Sequence, residues 1–191
     1  MSQPRVWLIT STSAGLGRAV TELILGRWEI AVATARRPTA LHDLFAKRPT
    51  DCLLVLKLDV TVFDDIADAF SRAKTVFVRM DVVVKNARHD LFGELEGIQE
   101  GVARGPLGVN VWGAMNVTRK ALQFSRKEPG HEGRLLQTSS LSGFVTDPMH
   151  ASYVASQFAL EGMTESRAQE IDPAWNIKRP IKVVCDICWD A

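Results

Sequence analysis

Short apolar runs alternate with amphipathic stretches from one end of the chain to the other. Residues 6–10, 30–35, 53–58, 82–84, 134–139 and 181–187 read as strands. They are apolar on both faces, as a sheet covered on both sides requires. Between them, Leu16, Ala19, Val20, Leu23 and Ile24 recur at helical spacing, and so do Ile66, Ala69, Phe70 and Ala73. Leu41, Leu44 and Phe45 mark a short helix that ends near Pro49, and longer helices are predicted over 109–124 and 152–171. This alternation predicts an α/β fold: about six parallel strands, doubly wound, with crossover helices on both faces. Gly101, Gly105, Pro106 and Gly108 are expected to fray or break the chain's approach to Asn110.

Composition narrows the picture without sharpening it. The 191 residues are 46% hydrophobic and 24% charged, which predicts one domain over 1–191 with a real core. A net charge of +1, with no long run of one sign, gives nucleic acid or an anionic membrane nothing to attract. No stretch of ~18 apolar residues is present, and the first apolar run is too short for the core of a signal peptide. The expectation is a cytoplasmic protein with neither membrane nor nucleic-acid partner. Cys185 and Cys188 form a C-x-x-C in a terminal apolar stretch, without a second such pair, and His42, His89, His131 and His150 are scattered singly. They predict no metal site.

Sheets of this kind bind ligands at the carboxyl ends of their strands, so the loops there carry the candidate chemistry. After the first strand, "TSTSAGLG" places Gly15 and Gly17 between strand and helix. Glycines there let the backbone approach a pyrophosphate, beside the N–H groups of a helix start. Thr10, Ser11, Ser13 and Leu16 complete the candidate loop, and a plain capped turn is the alternative. The second strand ends in Ala35, Arg36 and Arg37, where a fold selecting NAD usually places an acid; guanidinium groups suit a 2′-phosphate.

Five segments together resemble the short-chain dehydrogenase/reductase family over nearly the whole chain. They are the turn just quoted, "LDV" with Asp59 and Val60, "KNAR" with Asn86 and Ala87, Asn110 in its helix, and "SSLSG" followed by "YVASQ". Ser140 stands thirteen residues before Tyr153, the usual family separation. The resemblance implies a single Rossmann-like NAD(P)-binding domain with NADP(H) favoured over NAD(H), and a small carbonyl or alcohol substrate. It implies Tyr153 as acid/base, Ser140 as orienting donor and Asn110 as relay support. Asp59 and Val60 would lie near adenine, and Asn86 and Ala87 beside the cofactor. It also implies a homodimer or homotetramer.

Four departures qualify this expectation. Gln157 stands where the family has lysine, so the position is kept and the charge is missing; its amide is expected to hold a ribose hydroxyl. Ser11 replaces a glycine, which strains the turn if φ is positive there. Arg88 replaces another glycine and is expected to turn away from the site or obstruct it; supplying the missing charge is the less favoured alternative. Residues 180–191 form an atypical tail without the family's Pro-Gly turn, substrate lid or last strand. Ile187 and Trp189 are candidates for association. Two functions are therefore in play: an NADP(H)-dependent oxidoreductase weakened at Gln157, and a non-catalytic NADP-binding or dimerising relative.

Overall fold

The computed structural model describes residues 3–46, 51–126, 133–172, 175 and 177–184. The His131 position, the C-x-x-C of Cys185 and Cys188, and Ile187 and Trp189 lie outside the described residues. Six strands form one sheet: β1 (Val6–Ile9), β2 (Ile30–Ala35), β3 (Leu53–Lys57), β4 (Val82–Lys85), β5 (Gly133–Ser139) and β6 (Ile177–Val184). Their order is β3-β2-β1-β4-β5-β6, and every neighbouring pair is parallel. The predicted parallel doubly wound fold is therefore present. Strand β6 starts four residues earlier than the apolar run suggests. Its register shifts between Arg134 and Leu136, and Pro180, which cannot donate to a ladder, falls in that irregularity.

Side-chain parity along the strands separates two cores. Leu8, Val32 and Val83 join Leu56, Ile66, Phe70, Val117, Ala121 and Leu135 on one face. Ile9, Ala31, Ala33, Val82 and Val84 join Ile24, Leu25, Leu41 and Leu44 on the other. The helices are α1 (Gly15–Gly26), α2 (His42–Phe45), α3 (Phe63–Phe77), α4 (Glu100–Pro106), α5 (Ala114–Arg126) and α6 (Ala151–Gln169). Helix α3 buries the predicted Ile66, Ala69, Phe70 and Ala73. Helix α1 differs: Gly17, Thr21, Ile24 and Leu25 are buried, while Leu23 is exposed. Its rotation follows the close packing of Gly17, where a Cβ would lie 2.2 Å from the Ser11 carbonyl oxygen and 2.5 Å from Asn86 Nδ2.

The expected break before Asn110 does not occur. Helix α4 runs into a π-helical segment, Leu107–Gly113, which runs into α5. Pro106 keeps helical angles, φ −55° and ψ −44°. Lacking an N–H, it cannot continue the i→i−4 ladder, and the wider turns take up the mismatch. Tertiary bonds made by Asn110, described next, outweigh the weak local propensity.

Candidate functional site

The strand order reverses between β1 and β4, so the loops after these two strands flank the crevice where such sheets take ligands. The loops are locked together. Thr10 Oγ1 accepts the backbone N–H of Asn86 and of Ala87, each at 2.9 Å. Asn86 Nδ2 donates back to the carbonyls of Thr10, at 3.2 Å, and Ser11, at 3.1 Å. Ser11 has φ 59° and Gly15 φ 55°, so the turn does require the left-handed region at Ser11.

Beside these loops lies a cleft of about 460 Å³, within the usual range for small-molecule sites. Of the sequence candidates, Ser11, Ser13, Arg36, Arg37, Asp59, Val60 and Ala87 line it. Thr10, Gly15, Leu16, Gly17, Asn86, Asn110, Ser140, Tyr153 and Gln157 are not in its lining; Thr10, Gly17 and Asn86 brace the turn as described. Burial works to raise the Asp59 pKa, but hydrogen bonds from the Thr61 hydroxyl, at 2.7 Å, and N–H, at 2.9 Å, together with the Arg36 charge, hold it below the ordinary value.

Tyr153 is buried in the first turn of α6. Ser140 precedes a 3-10 turn, Leu141–Gly143, where its Oγ accepts the Ser142 N–H at 3.3 Å. Burial raises the Tyr153 pKa above the ordinary value, and Asp90 adds to this; Ser140 and Arg88 oppose it. The Arg88 Cζ lies 5.9 Å from the centre of the tyrosine ring. Arg88 therefore does not turn away from the site but lies over the ring of Tyr153.

Asn110 and Gln157 are placed otherwise than their expected roles suggest. Asn110 Oδ1 accepts the His89 N–H at 2.8 Å, while its Nδ2 donates to the His89 carbonyl at 2.9 Å and to Ser156 Oγ at 2.8 Å. The side chain is thus spent on joining the β4 loop to α6. Gln157 is 1% exposed, is absent from the cleft lining, and its buried Oε1 accepts no hydrogen bond. Its reach towards a ribose hydroxyl is not visible in this arrangement.

The family model for short chain dehydrogenase matches residues 5–185. The chain belongs to the short-chain dehydrogenase family. Members of this family are oxidoreductases that bind a nicotinamide cofactor and act on small molecules. An uncharacterized oxidoreductase of Schizosaccharomyces pombe is 38% identical over 170 residues, covering 89% of this chain and 56% of its own. An oxidoreductase of Penicillium decumbens is 37% identical over 182 residues, covering 93% of this chain and 59% of its own. The chain thus spans less than two thirds of the length of these curated relatives. A solved short-chain dehydrogenase from Streptomyces avermitilis superposes with a TM-score of 0.86 at 31% identity, over 97% of this chain and 66% of that one.

The residues of this chain fit a dinucleotide. The turn at Gly17 leaves no room for a side chain, and three arginines, Arg36, Arg37 and Arg88, stand in the cleft lining. Thr61, His89, Asp90 and Val109 also line the cleft and were missed from the sequence, while Arg88, singled out there as a departure, lines it too. His89 and Asp90 closely follow the predicted Asn86 and Ala87, which is the signal that could have found them. Lys85 was missed as well: it is buried, its Nζ donates to Thr118 Oγ1 at 2.9 Å, and burial lowers its pKa to about 8. It lines a separate cavity between α5 and α6, beside Arg119, Arg126 and Trp175. Among the described residues, no helix is long and apolar enough to cross a membrane, and no group of three or more metal-ligating side chains occurs.

Proposed function

We propose that the chain is an NADP(H)-dependent oxidoreductase that interconverts a small carbonyl and its alcohol. The observation that carries this reading is buried Tyr153 with the Arg88 guanidinium over its ring, Arg88 also lining the cleft that holds Arg36 and Arg37, while Ser140 and Arg88 both work to lower the tyrosine pKa. A bound nicotinamide supplies or takes the hydride. Tyr153 then gives or takes the proton at the substrate oxygen, and Ser140 orients that oxygen by a hydrogen bond. Ser11, Ser13 and the start of α1 would hold the pyrophosphate, with Thr10, Gly15, Leu16 and Gly17 shaping the turn. Arg36 and Arg37 would hold the 2′-phosphate as bidentate donors. Asp59 and Val60 would flank the adenine, and Asn86 and Ala87 would border the nicotinamide half. Asn110 would support proton transfer by fixing the distance between the β4 loop and α6.

A second reading, a non-catalytic NADP-binding or dimerising relative, is favoured by one observation: Gln157 is neutral and buried one turn from Tyr153. A homodimer or homotetramer belongs to either reading, and the exposed Trp112 and Phe158 support an association surface near the π segment and α6. The deciding experiment is an NADPH and NADH titration followed by tryptophan fluorescence, then NADPH oxidation over a carbonyl panel with Tyr153→Phe alongside. The first reading expects tighter NADPH binding and turnover that Tyr153→Phe abolishes. Binding without turnover supports the second reading, and no binding of either cofactor overturns both.

A further inference from the structure

We propose that Arg88 is a positioning residue that brings a permanent positive charge to the Tyr153 hydroxyl from the loop after β4. The inference rests on the reading of Tyr153 as the proton-transferring group. Four observations converge on it. The Arg88 guanidinium lies over the tyrosine ring, Cζ 5.9 Å from its centre, and its charge works to lower the Tyr153 pKa. Arg88 also lines the cleft that holds Arg36 and Arg37, so the charge stands between the cleft and Tyr153. Gln157, one turn along α6, is neutral and has its polar end buried away from the cleft. Lys85, three residues before Arg88, is held by Thr118.

A guanidinium suits the task because it stays protonated at every pH the fold tolerates. It favours the phenolate over the phenol and so opposes the burial that holds the proton on Tyr153. Two other titratable groups face this tyrosine. Asp90 works against Arg88, and His150 stands with its ring 5.9 Å from the tyrosine ring and its Nε2 3.7 Å from Asp90. The charge comes from a loop rather than from the same helix, so its distance to Tyr153 depends on how the β4 loop is held.

Tyr153 is the single tyrosine of the chain, so the hydroxyl can be titrated without ambiguity and without cofactor. The test replaces it by 3-fluorotyrosine during expression and follows the one ¹⁹F resonance with pH; fluorine lowers phenol ionisation into a range where the fold survives. Arg88→Gln is expected to move the midpoint up by about one pH unit. Arg88→Lys should restore most of that shift. Arg104→Gln, an exposed charge on α4, should leave it in place. An unchanged midpoint in Arg88→Gln overturns the proposal. So does tighter NADPH binding by Arg88→Gly with an unchanged midpoint, which would make Arg88 an obstruction. A parallel assay of NADPH oxidation keeps the two claims apart: lack of turnover in the unsubstituted protein defeats the functional reading, while the resonance still reports on Arg88.

Discussion

Asn110 and Ser156 form the link that ties the β4 loop to the helix carrying Tyr153: Asn110 Nδ2 donates to Ser156 Oγ at 2.8 Å, and Ser156 Oγ donates to the Tyr153 carbonyl at 2.6 Å. All three groups are buried. With its bonds to His89 counted, both N–H donors of the Asn110 amide are used and its oxygen accepts one bond. Each bond contributes about 1 kcal/mol, and a stranded buried partner costs about 1–3 kcal/mol. Asn110→Ala should therefore lower stability by about 2–4 kcal/mol, read as a fall in urea midpoint at constant slope. A change under 1 kcal/mol would show that the link is incidental.

Val78 closes α3 with φ 64°, and its N–H reaches the Lys74 carbonyl at 2.9 Å. A β-branched residue is badly suited to that left-handed position, which usually takes glycine. Its side chain is exposed and has little packing to lose. Val78→Gly should raise stability by about 1 kcal/mol, or roughly 2–4 °C in Tm for a chain of this size. An unchanged or lower Tm would mean that the valine makes a compensating contact.

Gly17 should tolerate no side chain. A Cβ there would meet the Ser11 carbonyl and Asn86 Nδ2 within 2.5 Å. Gly17→Ala must push the turn or helix α1 outward, at a cost of about 1–3 kcal/mol. NADPH binding should weaken more than tenfold, because the loop and the helix start move together. Full binding by a stable variant would detach this turn from the cofactor site.

Lys85 makes a pH prediction. Its folded pKa is about 8 against 10.5 ordinarily, and burial is the cause. Between these values the unfolded chain binds more protons, so stability rises with pH through that window and is lost as pH falls through about 8. The full span corresponds to about 3 kcal/mol. Lys85→Met should remove the slope and raise Tm at pH 7. Thermal melts from pH 7 to 10 measure it; a slope that survives the substitution would assign the effect to other groups. Tyr153, with its raised pKa, pulls the opposite way above pH 10, where the folded chain keeps the proton longer.

The strands were legible because a doubly covered sheet needs unbroken apolar runs, and the parity of Leu8 and Ile9 then assigns the two cores. The α1 face was not, because backbone contact at Gly17 sets its rotation rather than its largest side chains. The cleft residues Ser11, Ser13, Arg36, Arg37 and Asp59 were legible as strand-end loops. The direction of Arg88 was not, since a loop arginine can lie along several paths and only tertiary contacts choose one. Gln157 was placed one turn from Tyr153 by helical spacing, but spacing does not report how deeply a side chain sits.

The π segment has a consequence for how the molecule tolerates changes in length. Each π turn holds one residue more than an α turn, about 100° of helical rotation. The rod from Glu100 to Arg126 is thus geared: Asn110 faces His89 and Ser156, while Val117 and Ala121 face the core shared with α3. Losing a single residue between 107 and 113 would let the rod relax to a regular helix and would disengage one set of teeth from its partner. A point substitution in the same stretch that spares Asn110 leaves the gearing intact.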